Sequence, residues 1–256
     1  MIIRPNAKSD RQGASFSDKW LLLSALAAVA SLMIGGPLVS LNAYVPIVRA
    51  HEPWGAAALE GTATAILFFM SATGIAVGAI VDRSSARHAI VGGALLAAAG
   101  CWIAAACNGV VPFIAAFALI GVGLGAATIV PSIPLLSHAF GERRGLALGL
   151  FFGTLALSSA VLPPLTAALI DLQGWRHALH WTGAAIALAS LPVTLLRVPS
   201  LRSETAAGNE PRSAAGGMTV ESALSSPRYW SVVAGTTLAL ISAQGVLFAV
   251  VNYLSQ

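Results

Sequence analysis

Long apolar segments alternate with short polar ones along most of the chain. The apolar segments are about 20 residues long or longer, which suits a helix that crosses a hydrocarbon layer and satisfies its own backbone hydrogen bonds. None of them shows the strict apolar–polar alternation of a membrane β-strand. The pattern predicts seven membrane-spanning helices, near residues 20–44, 59–81, 89–108, 112–138, 145–170, 177–197 and 229–254.

The composition also indicates a chain embedded in a lipid bilayer. Hydrophobic residues make up 57% of the sequence and charged residues 9%, whereas a soluble domain carries about 25% charged residues. We therefore expect an all-α fold, that of a polytopic membrane protein. A soluble protein with buried helices fits less well. A cleaved secretory signal also fits less well, because the first apolar segment is too long and further spans follow it.

The basic residues are unevenly divided between the two sides of the predicted membrane. With a cytoplasmic N-terminus, twelve of the 14 Lys and Arg residues lie on the cytoplasmic side, and only Arg49 and Arg176 lie on the other. Cytoplasmic loops normally carry such an excess, so we expect the N-terminus in the cytoplasm. The basic net charge of +4 then reflects topology, and no nucleic acid partner is expected.

Several function classes are not supported by the sequence. Rhodopsin-like receptors place their N-terminus outside, and a retinal pigment needs a lysine in its last span, whereas the last lysine here is Lys19. Cys101 and Cys107 have neither metal-ligand nor disulfide spacing. There is no nucleophile–His–acid cluster and no phosphate-binding loop. We expect no enzymatic activity, no cofactor and no metal site.

Glycines recur at a spacing of four residues in several predicted spans, at 74 and 78, at 121 and 125, and at 145, 149 and 153. This spacing aligns small residues on one helix face and allows two backbones to approach closely. Prolines within spans one, four and five predict kinks. Such kinks are common in helices that line a pathway and in membrane helices generally.

Charged residues cluster between the second and third predicted spans, in "GAIVDRSSAR" (78–87). The order Gly78–x–x–x–Asp82–Arg83–x–x–x–Arg87 resembles the loop signature of the major facilitator superfamily, roughly G-x-x-x-D-R-x-G-R-[RK], without its second glycine and one basic residue. In that superfamily the loop belongs to a cytoplasmic latch that is made and broken as two helical bundles rock. The resemblance implies a cytoplasmic gate at Gly78, Asp82, Arg83 and Arg87. A turn that only fixes topology is the alternative.

Two further segments are similar to the monocarboxylate transporter and oxalate–formate antiporter branch of that superfamily. "FGERRGLALGL" (140–150) matches the pattern F-x-x-R-R-x-x-A-x-G that opens span five, and "GWR" (174–176) precedes span six. Arg143 and Arg144 are accordingly assigned to the same gate. Span one lacks the lysine of the animal monocarboxylate carriers. The resemblance covers roughly residues 20–200, the first bundle of six helices.

The resemblance implies a secondary active transporter that moves a small solute by alternating access. We expect an organic anion, such as a monocarboxylate, with or without a co-transported proton. A drug or sugar carrier of the same fold, or a truncated membrane protein that does not transport, are the alternatives. The Ala-rich composition favours a bacterial inner membrane as the location.

Family members have twelve spans, so the resemblance implies that the C-terminal half is missing from this sequence. The expected organisation is a cytoplasmic tail (1–19), a six-helix transmembrane bundle (20–197), a cytoplasmic linker (198–228) and the first helix of a second, incomplete bundle (229–256).

Polar residues inside a span are candidates for a substrate pathway, because they are costly to place in lipid. Spans one, four and seven contribute to the substrate site in the superfamily. The resemblance therefore implies these candidates: Asn42, Tyr44, Thr128, Ser132, Gln244, Asn252 and Tyr253. The other interpretation is that each bonds a neighbouring helix or lies near a membrane surface. No span contains a buried carboxylate that could couple a proton.

Overall fold

A computed structural model describes residues 16–52, 54, 56–81, 86–195 and 225–254 of the chain. Within these residues there are helices and no strand. The α-helices are α1 (Phe16–Met33), α2 (Leu41–His51), α3 (Ala56–Val81), α4 (Ala86–Ala106), α5 (Val110–Ala127), α6 (Ile129–Phe140), α7 (Arg144–Gln173), α8 (Trp175–Leu195) and α9 (Pro227–Leu254). A π-helix (Ile34–Val39) joins α1 to α2, and a 3-10 turn (Gly141–Arg143) joins α6 to α7.

The predicted fold class is confirmed, since the described chain is helical and several stretches are long and apolar enough to cross a membrane. By length and composition these stretches are Ser17–His51, Gly61–Gly78, Ala86–Ala106, Val110–Gln173 and Trp175–Leu195. The stretch Val110–Gln173 contains two predicted spans. The chain reverses between them at Gly141, whose φ of 51° favours glycine, and α6 then packs against α7.

The chain divides into two units, Met1–Thr205 and Ala206–Gln256. The first contains α1 to α8. The second contains α9, a 28-residue helix that corresponds to the seventh predicted span. The boundary lies inside the predicted linker 198–228. The predicted four-part organisation, with its tail and linker in the cytoplasm, stays a prediction.

Helix α5 packs between α3 and α4, and α4 packs in turn against α8. Glycines make this close approach possible. A Cβ at Gly121 would collide with the carbonyl oxygen of Ile66 on α3, and a Cβ at Gly123 would collide with that of Gly93 on α4. The backbones themselves are therefore in contact at these points, as small residues in membrane helices permit.

The spacing of four residues does not mark a helix contact everywhere. Gly121 and Gly125 both face the backbone of α3, as predicted, whereas a Cβ at Gly74 would meet Val130 only at an ordinary 3.6 Å. A Cβ added at Gly145, Gly149 or Gly153 on α7 would meet no described atom within 4 Å. Among the described residues, the glycines of α7 therefore form no close helix contact.

Candidate functional site

The six-span unit has two ends, each marked by contacts between helix termini. At the first, the ring of Trp20 at the start of α1 meets that of Phe140 at the end of α6 edge-to-face, with centroids 5.4 Å apart. At the second, Arg176 at the start of α8 contacts the chain just after α2 and the end of α4. We call these the Phe140 end and the Arg176 end.

The predicted gate residues that the structure describes lie at the Phe140 end. Arg87 is the second residue of α4 and is half-buried, whereas Arg143 and Arg144 are exposed where the chain turns into α7. Gly78 lies near the end of α3, and a Cβ there would lie 4.0 Å from Cγ1 of Val130. Asp82 and Arg83 lie outside the described residues. The role of this group as a gate stays a prediction.

The first span is broken in its middle, and its two polar candidates lie just beyond the break. Asn42 is exposed, whereas Tyr44 is completely buried. The hydroxyl of Tyr44 lies 3.4 Å from Oγ1 of Thr182 on α8. Thr182 donates its own hydrogen to the carbonyl of Ala178 at 2.8 Å, so Tyr44 is the donor between the two hydroxyls. This bond joins α2 to α8.

The fourth span is broken at Thr128, which separates α5 from α6 with φ −96° and ψ −107°. Thr128 donates its hydroxyl to the carbonyl of Leu124 at 2.7 Å, and Ser132 donates to that of Thr128 at 2.6 Å. Both side chains are buried. Their hydroxyl hydrogens are therefore engaged within their own span, although each oxygen retains lone pairs that can accept.

An open surface depression of about 450 Å³ lies beside this break, between α3 and the kinked fourth span. Its lining is mainly apolar and includes Met70, Gly74, Gly125, Thr128 and Val130. Ser71 and Thr128 are the only side chains of this lining with polar atoms other than sulfur, so the walls offer mainly van der Waals contact.

The candidates of the seventh span cannot be placed in a site. The structure places the backbone of Gln244, Asn252 and Tyr253 in α9. It does not describe their side chains. Their assignment to a substrate pathway stays a prediction.

Two buried hydroxyl groups were not among the sequence candidates. Ser31 on α1 and Thr62 on α3 are buried, and neither side-chain oxygen has a hydrogen-bond partner among the described residues. A buried hydroxyl is costly without a partner. Their residue types and positions within apolar spans did not distinguish them from other serines and threonines.

Arg176 makes the most extensive set of polar contacts at its end, although it was not among the site residues predicted from the sequence. Nη1 donates to the carbonyl oxygens of Ala105 and Cys107, both at 3.0 Å. Nη2 donates to Oε1 of Glu52 at 3.1 Å, and the guanidinium carbon lies 4.5 Å from the ring centroid of Trp175. One sequence feature could have identified Arg176, since it is one of two basic residues predicted on the non-cytoplasmic side of the membrane.

An aromatic cluster surrounds Phe113 at the same end. Its ring centroid lies 5.2 Å from that of Trp54, 4.9 Å from Phe117 and 5.9 Å from Trp175. Phe113 is 1% exposed, so these rings close the Arg176 end with an apolar layer. Tilted and edge-to-face arrangements of this kind are favourable for aromatic pairs.

Comparison with known proteins gives a family match and several relatives. The family model of the Major Facilitator Superfamily matches residues 20–256. Monocarboxylate transporter 11 of Homo sapiens is 30% identical over 181 residues, which cover 70% of this chain and 38% of that protein. Monocarboxylate transporter 13 of Rattus norvegicus is 30% identical over 130 residues, or 51% of this chain and 30% of that protein.

A relative with another substrate in its name is the riboflavin transporter RibJ of Trypanosoma brucei brucei, 31% identical over 147 residues, which cover 55% of this chain and 26% of that protein. The matched regions thus span less than two fifths of the length of these curated relatives. Among solved structures, the peptide transporter POT superposes with a TM-score of 0.58 over 88% of this chain and 45% of that chain. At 16% identity, this likeness concerns the fold alone.

Proposed function

The chain belongs to the Major Facilitator Superfamily, and from this membership we propose that it forms the first helical bundle of a solute carrier that works by alternating access. The observation that carries the proposal is its similarity to monocarboxylate transporter 11 over 70% of the chain. A small organic anion, such as a monocarboxylate, is the proposed substrate class. The membrane embedding itself follows from the family and from the apolar helices.

The shape of the bundle supports a carrier. Spans one and four, which contribute to the substrate site in this superfamily, are both broken near their middle, at Ile34–Val39 and at Thr128. Breaks of this kind free backbone groups inside a membrane protein, where they can line a cavity. Asn42 and Tyr44 lie just beyond the first break, and Ser132 lies just beyond the second.

The charges of the described spans limit how an anion could be held. No buried Lys, Arg, Asp or Glu is found among the side chains whose burial is described. Amide and hydroxyl donors such as Asn42 are therefore the proposed substrate contacts from this bundle.

The substrate class is tested by uptake into liposomes that contain the protein isolated from its native membrane. Labelled lactate, formate and oxalate are compared with glucose and riboflavin, with and without an inward proton gradient. We expect saturable uptake of at least one of the anions above that of protein-free vesicles. Uptake of riboflavin or glucose, and of none of the anions, would mean that the substrate is a neutral solute. The similarity to RibJ favours this alternative. Stimulation by the gradient would indicate a co-transported proton.

We further propose that the Phe140 end of the bundle lies on the cytoplasmic side of a bacterial inner membrane. Glu142 in the turn before α7 and Leu172 near the end of α7 are both exposed, at opposite ends of that helix. In a background that lacks Cys101 and Cys107, a membrane-impermeant maleimide should label the Leu172→Cys variant on intact spheroplasts. The Glu142→Cys variant should be labelled only after the membrane is permeabilised. The reverse pattern would invert the assigned topology.

A further inference from the structure

The second half of the first span, α2, is a short helix with its own attachment to the bundle. The π-helix that precedes it holds Gly35, Gly36 and Pro37, and Ser40 then donates its hydroxyl to the carbonyl of Gly35 at 2.7 Å. Wider helical turns of this type often occur at functional sites. The α-helical hydrogen-bond pattern is replaced here by a wider turn, in which the amide of Ser40 donates to the carbonyl of Gly35 at 3.2 Å, although the chain stays helical from Ser17 to His51.

The break itself is fixed in place by its neighbours. A Cβ at Gly35 would lie 2.6 Å from Cδ1 of Leu162 on α7, and one at Gly36 would lie 2.9 Å from Cγ2 of Thr182 on α8. The junction is therefore wedged between two helices. Any motion of α2 would turn about this point and would be largest at its other end, where Glu52 follows the helix.

Beyond the junction, α2 packs against the bundle through one buried face and through half-buried residues beside it. Leu41, Tyr44 and Val48 form one buried face, while Pro46 and Arg49 on other faces are exposed. The chain that follows α2 packs through Trp54, whose ring centroid lies 5.2 Å from that of Phe113, and α3 begins at Ala56. The position of α2 therefore depends on its buried face, on the bond from Tyr44 to Thr182, on this short link to α3 and on the ion pair at its end.

Arg176 makes that ion pair while it is anchored independently of α2. Its contacts with the carbonyls of Ala105 and Cys107 tie it to the end of α4, and it belongs to α8 itself. Nη2 then reaches Glu52 at 3.1 Å. The planar guanidinium presents several donors in fixed directions, so one side chain can hold three chain segments in a defined relation.

We propose that Arg176 is a positioning residue that clamps the C-terminal end of α2 to α4 and α8. The clamp sets the position of Asn42 and Tyr44, the candidates on α2. Releasing it lets α2 turn about the wedged junction at Ile34–Val39. The clamp itself follows from the contacts and does not depend on what the protein transports.

The test is hydrogen–deuterium exchange measured by mass spectrometry on the full chain in lipid nanodiscs. Two variants remove different parts of the clamp. Arg176→Ala should speed amide exchange in both 41–52 and 100–107, whereas Glu52→Ala should speed it in 41–52 alone, because Arg176 still binds the end of α4. We expect about a tenfold change, as the loss of a charged hydrogen bond would give. The matched control is Arg49→Ala, which removes an exposed arginine from the same end.

Exchange in 41–52 that is unchanged in both Glu52→Ala and Arg176→Ala would overturn the proposal. So would an equal increase in Arg49→Ala, because the faster exchange would then follow from any substitution at this end of α2 and not from loss of the ion pair. If Arg176→Ala does not fold, Glu52→Ala still decides the point, since it leaves the carbonyl contacts intact. Arg176→Lys should give an intermediate rate, because one ammonium group cannot reproduce the whole set of contacts.

A second readout rests on the proposed function. In a preparation that transports, Glu52→Ala should raise KM more than it lowers the maximal rate, since a mobile α2 positions its candidates less well. If exchange increases but no substrate is transported, the proposed function fails and the clamp stands. If transport is normal and exchange is unchanged, the clamp fails and the function stands.

Discussion

Gly121→Val is expected to prevent the six-span unit from reaching a stable folded state. The first added carbon would collide with the carbonyl oxygen of Ile66 and lie 3.0 Å from its Cα. Those are backbone atoms of α3, so the collision is relieved only by separating α3 from α5. Overpacking of a core costs about 1–3 kcal/mol, and we expect at least the upper value here because backbone must move.

The matched control is Gly149→Val on α7, where an added Cβ meets no described atom within 4 Å. Both variants carry the same change in intrinsic helix propensity, so the difference between them isolates the packing. The measurement is the thermal unfolding midpoint in detergent, together with the yield of monodisperse protein. Equal midpoints for the two variants would contradict the described contact between α5 and α3.

Asp82→Asn is expected to lower the rate of transport by about tenfold or more, because it removes one charge-assisted hydrogen bond from the predicted gate. Asp82 immediately follows Val81, the last residue of α3. A negative charge at the C-terminal end of a helix is electrostatically unfavourable, so helix stability does not explain an acidic residue there. The resemblance to the superfamily loop supplies an explanation, in which this carboxylate bonds a helix of the second bundle when the cytoplasmic side closes.

The control is Glu204→Gln, which removes a carboxylate from the predicted linker. Initial rates of uptake are compared for both variants at equal amounts of protein in the membrane. Topology depends mainly on Lys and Arg and little on acidic residues, so a turn that only fixes orientation would tolerate Asp82→Asn. Equal and negligible effects of the two substitutions would remove the assignment of a gate to this loop.

The helical spans could be predicted from the sequence because hydrocarbon thickness sets the length of an apolar segment. The ends of the spans were predicted less accurately than their positions. The first span was expected at 20–44, whereas the helical stretch continues to His51, since a helix that leaves the hydrocarbon keeps its hydrogen bonds through polar residues such as Arg49. Pro37 and Pro131 indicated the regions of the two breaks. The π-helical turn at Gly35 packs against α7 and α8. A pattern within span one alone does not reveal these contacts.

The candidate site was only partly accessible to sequence reasoning. Glycine spacing identified the close contact at Gly121 and Gly125, but the glycines with the same spacing on α7 have no described neighbour within 4 Å of an added Cβ. The spacing describes one helix and does not show which helix, if any, packs against it. Thr128 was recognised as polar, but its bond to Leu124 appears only with a folded backbone. Arg176 was recognised through its charge and motif, and its contacts with Ala105 and Glu52 required the tertiary structure.

The central claim, that this chain is part of an alternating-access carrier of small organic anions, is tested most directly by counterflow. Liposomes that contain the protein from its native membrane are loaded with a high concentration of unlabelled lactate, formate or oxalate and diluted into a trace of the labelled anion. The account predicts that at least one labelled anion accumulates transiently above equilibrium, because outward-moving unlabelled substrate returns the binding site to the outside. Equilibration without an overshoot for all three anions, or no entry above that of protein-free vesicles, would contradict it.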